Sequence, residues 1–135
     1  MSNLQYFKKM KRDFISILDW TSEEIRNNID LAVELKQQTK AGQCPQLLQR
    51  KSYGLFFHKP SLRTRLSFEV GIAQLGGASM VLSEQDFKIG ERETVSDVAR
   101  VMSRFVDGIL IRTFSHQLVL DLAEHATVPV VNMLT

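Results

Sequence analysis

The sequence predicts an α/β fold, a three-layer open parallel sheet of about four strands flanked by helices. Two observations carry that expectation. Four short apolar runs, at 53–57, 78–82, 108–111 and 128–131, alternate with longer segments of helical periodicity, and strands separated by helices imply right-handed crossovers and parallel pairing. At 135 residues the chain also has the length of one ordinary domain, large enough to bury a core.

The elements follow in order. Thr21 to Lys40 places Ile25, Ile29, Ala32 and Lys36 on one stripe with Leu31 and Leu35 flanking, the pattern of an amphipathic helix. Thr21 with Glu24 reads as a capping box, and Gly42 with Pro45 supplies the stop. Tyr53 to Phe57 is nearly continuous in apolar residues, as suits a strand buried on both faces. A second helix runs from about Ser61 to Leu75, with Leu66, Val70 and Ala73 expected inward and Gly76 and Gly77 at its end. Ala78 to Leu82 reads as the next strand, and Glu84 to Arg92 as a polar loop. Thr94 to Phe105 is a helix with Val95, Val98, Met102 and Phe105 on its apolar face. Gly108 to Ile111 is a strand, Ser115 to Ala126 a helix with Leu118 and Leu122 inward, and Val128 to Val131 the last strand.

Composition excludes several function classes. Hydrophobic residues make up 44% and charged residues 24%, values of a globular protein rather than a disordered or fibrous one. Seventeen basic residues are scattered among fifteen acidic ones for a net charge of +2, too mild for a nucleic-acid surface though compatible with small anions. No apolar run approaches the roughly 18 residues that span a bilayer, and the basic start has no apolar segment of signal-peptide length behind it. A cytoplasmic protein without membrane partners is expected. Cys44 is the one cysteine, so an internal disulfide is excluded, and it reads as an inert loop thiol. His58, His116 and His125 lack metal-ligand spacing, and no metal or other cofactor is expected.

In open parallel sheets, ligands sit outside the carboxyl ends of the strands, where the loops and helix N-termini point. That rule selects Pro60 to Arg65, Ser83 to Arg92, Arg112 with Thr113, and Asn132. Three of these four places carry arginine or lysine, and together they describe an anion site. Ser61 stands where an N-cap belongs, so the amide hydrogens of Leu62, Arg63 and Thr64 would face outward on the positive end of the helix dipole, ready for a phosphate. Ser61 and Thr64 add hydroxyls, and Arg63 adds a planar fork suited to phosphate or carbonyl oxygen. Arg63 and Arg65 leave a helix about 200° apart, so Arg63 is assigned to the ligand and Arg65 to a structural ion pair with a carboxylate such as Glu69.

The stretch FHKPSLRTRLSFE, Phe57 to Glu69, resembles the carbamoyl-phosphate loop of the carbamoyltransferase family, Phe-Glu-x-x-Ser-Thr-Arg-Thr-Arg. The resemblance extends through KRDFISILDWTSEEI, GERETVSDVARVMSRFVDGILIRTF and VPVVNMLT, which is nearly the whole chain. The KRDF lead and the IRTF after the third strand are similar to the ornithine rather than the aspartate members.

That resemblance implies a carbamoyl-phosphate-binding domain over 1–135, with the second, amino-acid-binding domain absent from this chain. It implies that Ser61, the Leu62 amide, Arg63 and Thr64 hold the phosphate of carbamoyl phosphate, and that Arg112 reaches a phosphate oxygen and the carbamoyl carbonyl. Arg63, Thr64 and Arg112 are thereby the expected catalytic residues. Lys88 aligns with a loop residue that crosses to the neighbouring subunit's site in the family, often a glutamine there; Arg92, on the same loop, reads as a surface charge. The implied partners are L-ornithine, held through the absent domain, and two further copies in a homotrimer; the implied chemistry is citrulline formation in arginine biosynthesis. The short chain alone is expected to bind phosphate-like anions weakly and to lack turnover. An aspartate or other amine carbamoyltransferase, or a non-catalytic anion-binding or oligomerisation module, stand as alternatives. Two residues depart from the family: Leu62 replaces a threonine, and His58 replaces a glutamate and reads as a packed or solvated histidine.

Overall fold

The computed structural model describes residues 11–135. Its elements are a 3-10 turn at Ile17–Asp19, then α1 (Ser22–Lys40), β1 (Ser52–Phe57), α2 (Leu62–Gln74), β2 (Ala78–Ser83), α3 (Val95–Phe105), β3 (Gly108–Arg112), α4 (His116–His125) and β4 (Val130–Leu134). The four strands form one parallel sheet in the order β2-β1-β3-β4. The two central strands are the most apolar, because both their faces are covered: Leu55, Phe56, Ile109 and Ile111 have no exposed surface.

Side chains alternate across the sheet, which sorts the core into two layers. Phe56, Ile109 and Ile111 pack with Val98 and Met102 of α3 and Leu122 of α4. Leu55, Phe57 and Leu110 face the other way, onto Phe68 and Ile72 of α2. Helices therefore lie on both faces, in the three layers that the sequence predicts.

The helix ends obey local chemistry. Thr21 and Glu24 form the expected capping box, Thr21 N–H to Glu24 Oε2 at 2.9 Å and Glu24 N–H to Thr21 Oγ1 at 3.2 Å. Ser61, Thr94 and Ser115 cap the other three helices through their hydroxyls, each contribution being about 1 kcal/mol. Gly76, at φ 88°, takes the left-handed step that ends α2, a conformation that costs a residue with Cβ.

Four sequence expectations are corrected. In α2 the inward stripe is Phe68 and Ile72, while Leu66, Val70 and Ala73 are exposed; the helix carries two apolar stripes, and the sheet takes the one bearing the aromatic ring. The apolar stripe of α1 buries nothing, and Ile29 is 58% exposed. Phe105 is likewise exposed, because it lies in the last turn of α3 and Val106 closes the core in its place. Finally, the last strand is Val130–Leu134, two to three residues later than expected, so Asn132 lies inside β4 rather than beyond it. Pro129 has no amide hydrogen to give to the ladder, and pairing begins at Val130 opposite Ile109. An element that periodicity did not reveal covers the outer edge of β4: Phe14 bridges to it, accepting from the Asn132 amide at 2.8 Å and donating to Val130 O at 2.9 Å.

Candidate functional site

The exit of β1 leads through His58, Lys59 and Pro60 to Ser61, the cap of α2. Ser61 Oγ accepts from the Thr64 amide at 3.3 Å and donates to Thr64 Oγ1 at 2.9 Å. The first-turn amides of α2 are thus presented at the carboxyl edge of the sheet with the helix dipole behind them.

The neighbouring strand delivers Arg112 to that same edge. Phe57 and Arg112 are register partners in β1 and β3, so the two strands end side by side. Strand parity puts Arg112 on the same face as Leu110, which is the face covered by α2. There the Arg112 Nη1 donates to Thr64 Oγ1 at 2.9 Å. A register shift beside it, with Ile111 opposite Asn132 but Arg112 opposite Leu134, bends the strand end where this side chain departs. Arg112 Nε is buried without a hydrogen-bond partner among the described residues.

The other expected site residues fall as follows. Arg63 is exposed on the first turn of α2 and makes no ion pair among the described residues. Arg65 pairs with Glu69 at 2.8 Å, one helical turn on. The Leu62 side chain, 72% exposed, helps line an apolar cleft of about 550 Å³ on the β2 side of α2, together with Pro60, Arg65, Val81 and Gln85. Lys88 stands on the loop after β2, more than half exposed and paired with Glu91 at 3.1 Å, and makes no hydrogen bond to Ser61, Thr64 or Arg112. Arg92 is exposed. Asn132, inside β4, donates through Nδ2 to Ile15 O at 3.0 Å, and its Oδ1 is buried without a hydrogen-bond partner among the described residues.

Sequence reasoning missed one polar cluster at this edge. His58 Nδ1 lies 2.6 Å from Thr113 Oγ1, and its Nε2 lies 3.7 Å from Glu84 Oε1. Its ring meets Phe56 edge-on at 4.7 Å between centroids. Burial holds the His58 imidazole below its usual pKa, against the opposing pull of Glu84. Nothing in the local sequence marks Thr113 as its partner, because the contact joins residues 55 positions apart. The loop after β2 is ordered by Asp86, which accepts from the Ser83 amide at 2.6 Å and from the Ser83 hydroxyl at 2.9 Å; these bonds, the amide's first, hold its carboxyl below the ordinary value.

A helix N-terminus, two hydroxyls and a guanidinium therefore meet at one edge of the sheet, an arrangement fit for a compact oxyanion. Comparison with known proteins agrees in kind: residues 12–135 match the family described as aspartate/ornithine carbamoyltransferase, carbamoyl-P binding domain. The chain belongs to this carbamoyltransferase family. Over 124 residues it is 54% identical to an ornithine carbamoyltransferase of Symbiobacterium thermophilum, covering 92% of this chain and 40% of that protein. The ornithine carbamoyltransferase of Pyrococcus furiosus superposes with a TM-score of 0.87 at 45% identity, over 90% of this chain and 39% of that one. The corresponding enzyme of Burkholderia thailandensis superposes at 0.88 with 39% identity, over 92% of this chain and 43% of that one. The chain spans about two fifths of the length of these carbamoyltransferases. No described helix is long and apolar enough to cross a membrane.

Proposed function

We propose that this chain is the carbamoyl-phosphate-binding part of an ornithine carbamoyltransferase, which transfers a carbamoyl group to the δ-amine of L-ornithine to give citrulline and phosphate in cytoplasmic arginine biosynthesis. The observation that carries the reading is the Arg112–Thr64 contact at the capped start of α2. The names of the similar proteins support ornithine as the amine.

The roles follow from chemistry. Ser61, the Leu62 amide, Arg63 and Thr64 receive the phosphate oxygens at the helix N-terminus. Arg112 bridges a phosphate oxygen and the carbamoyl carbonyl, its planar fork serving both at once. The uncharged δ-amine attacks the carbamoyl carbon, forming the C–N bond. The tetrahedral centre then expels phosphate by breaking the C–O bond, and the amine loses a proton. Arg63, Thr64 and Arg112 stabilise the negative charge that develops on oxygen, an electrostatic task that needs no covalent nucleophile. Lys88, on its exposed loop, serves the site of a neighbouring copy in a homotrimer, as a point charge for a phosphate oxygen. Ornithine binds through residues outside this chain.

Two measurements test the reading. Calorimetric titration of this chain with carbamoyl phosphate should show saturable binding that Arg112→Ala abolishes. The complete protein should form citrulline from ornithine and no carbamoyl-aspartate from aspartate; the reverse preference would refute the ornithine assignment.

A further inference from the structure

The exit of β3 is gripped from both faces of the sheet. On the α2 face, Arg112 reaches Thr64. On the opposite face, where parity places Phe56, His58 and Thr113, the imidazole meets the Thr113 hydroxyl, while the His58 amide donates to Arg112 O at 2.9 Å. His58 thus touches the two residues at the strand end by one backbone and one side-chain contact. The His58 side chain is 10% exposed and Thr113 is 1% exposed, so neither can exchange its partner for bulk water.

We propose that His58 is a positioning residue, which through Thr113 holds the end of β3 so that the Arg112 guanidinium stays aimed at the anion site; the inference rests on reading that edge as a carbamoyl-phosphate site. Hydrogen-bond accounting fixes how. The Thr113 Oγ1 accepts from the Ser115 amide at 3.4 Å. The Glu84 carboxylate, 3.7 Å from Nε2, favours the Nε2–H tautomer, so the Thr113 hydroxyl donates to a bare His58 Nδ1 at 2.6 Å. In this tautomer the Thr113 hydroxyl is served both as acceptor and as donor. In the other tautomer the Nδ1–H would donate to a second Thr113 lone pair, and an unprotonated Nε2 would face the Glu84 carboxylate, lone pair against anion. The clamp ties the start of α4 and the end of β3 to the residue that follows β1.

The test uses the 135-residue chain, inorganic phosphate as the probe, and three variants: His58→Ala, His58→Asn and Thr113→Val. Long-range imidazole nitrogen NMR at pH 7.5 should show His58 Nδ1 bare and Nε2 protonated. The Arg112 Nε–H resonance should be resolved in the parent and broadened in His58→Ala and Thr113→Val. Those two variants should bind phosphate about tenfold more weakly, and combining them should add little because they break the same link. His58→Asn, whose amide oxygen can stand where Nδ1 stood, should bind like the parent. A folded Thr113→Val chain with parental Arg112 signal and phosphate affinity would overturn the positioning role while leaving the anion site intact. A parent chain that binds no phosphate, with Nδ1 bare, would instead refute the anion site, and the role of His58 with it.

Discussion

Arg112 Nη1 donates to Thr64 Oγ1 at 2.9 Å, joining the end of β3 to the first turn of α2 across 48 residues of sequence. The contact sets a permanent cation at the capped start of α2, and in the proposed site Arg112 is the residue on which anion binding is expected to depend most.

Arg112→Ala is expected to abolish carbamoyl phosphate binding by this chain, and to lower the rate of the complete enzyme by about 100-fold or more, the usual loss when a donor to developing oxyanion charge is removed. Arg112→Lys should recover little, because an ammonium lacks the planar fork that serves two oxygens. Calorimetry measures the first, and steady-state citrulline formation the second.

The facing of α2 can be tested through stability. Ile72→Ala removes a side chain that is 6% exposed and packed on Leu55 and Phe57, and is expected to cost about 2–4 kcal/mol in urea unfolding. Leu66→Ala, at a position 51% exposed, should change stability by no more than about 0.5 kcal/mol in the isolated chain. Equal costs would mean that α2 is rotated from the orientation described.

How much of this was legible beforehand differs by element. The order and kind of the strands and helices follow from alternating composition, and the capped start of α2 follows from Ser61 alone. The rotation of α2 does not, since Leu66 with Val70 and Phe68 with Ile72 are equally good stripes, and only the sheet chooses between them. The start of β4 was misplaced because Val128 looks like a strand residue until Pro129 denies the ladder a donor. The Arg112–Thr64 and His58–Thr113 pairs join distant segments, so the sequence could place the partners on one edge without revealing which atoms meet.

At the opposite end of the sheet, Lys51 and Asp107 pair at 2.9 Å, and Asp107 also accepts from the Ser52 amide at 2.9 Å. The Lys51 hydrogen bond first, and the Ser52 amide second, hold the Asp107 carboxyl below its ordinary value. A depressed carboxylate stabilises the fold above its unfolded pKa of about 3.9, and the stabilisation disappears as pH falls through the folded value. Asp107→Asn should therefore lower the melting temperature by a few degrees at pH 7, with the difference shrinking as the pH falls below about 3.9, as followed by circular dichroism.

His58 has the opposite charge logic. Burial depresses its pKa, so the unfolded chain takes up a proton that the folded chain refuses. Stability should be complete above about pH 6.5, the ordinary imidazole value, and decline as pH falls from there to the folded pKa, below which this group adds no further slope. His58→Asn should flatten that limb in urea unfolding across pH 5–7, and an unchanged slope would show that His58 is not its source.

The most direct test of the anion site is an amide-resolved NMR titration of this chain with fresh carbamoyl phosphate. Saturable shifts centred on Leu62, Arg63, Thr64 and the Arg112 Nε–H are expected. Those signals standing still at millimolar ligand, or a response centred on another part of the sheet, would contradict it.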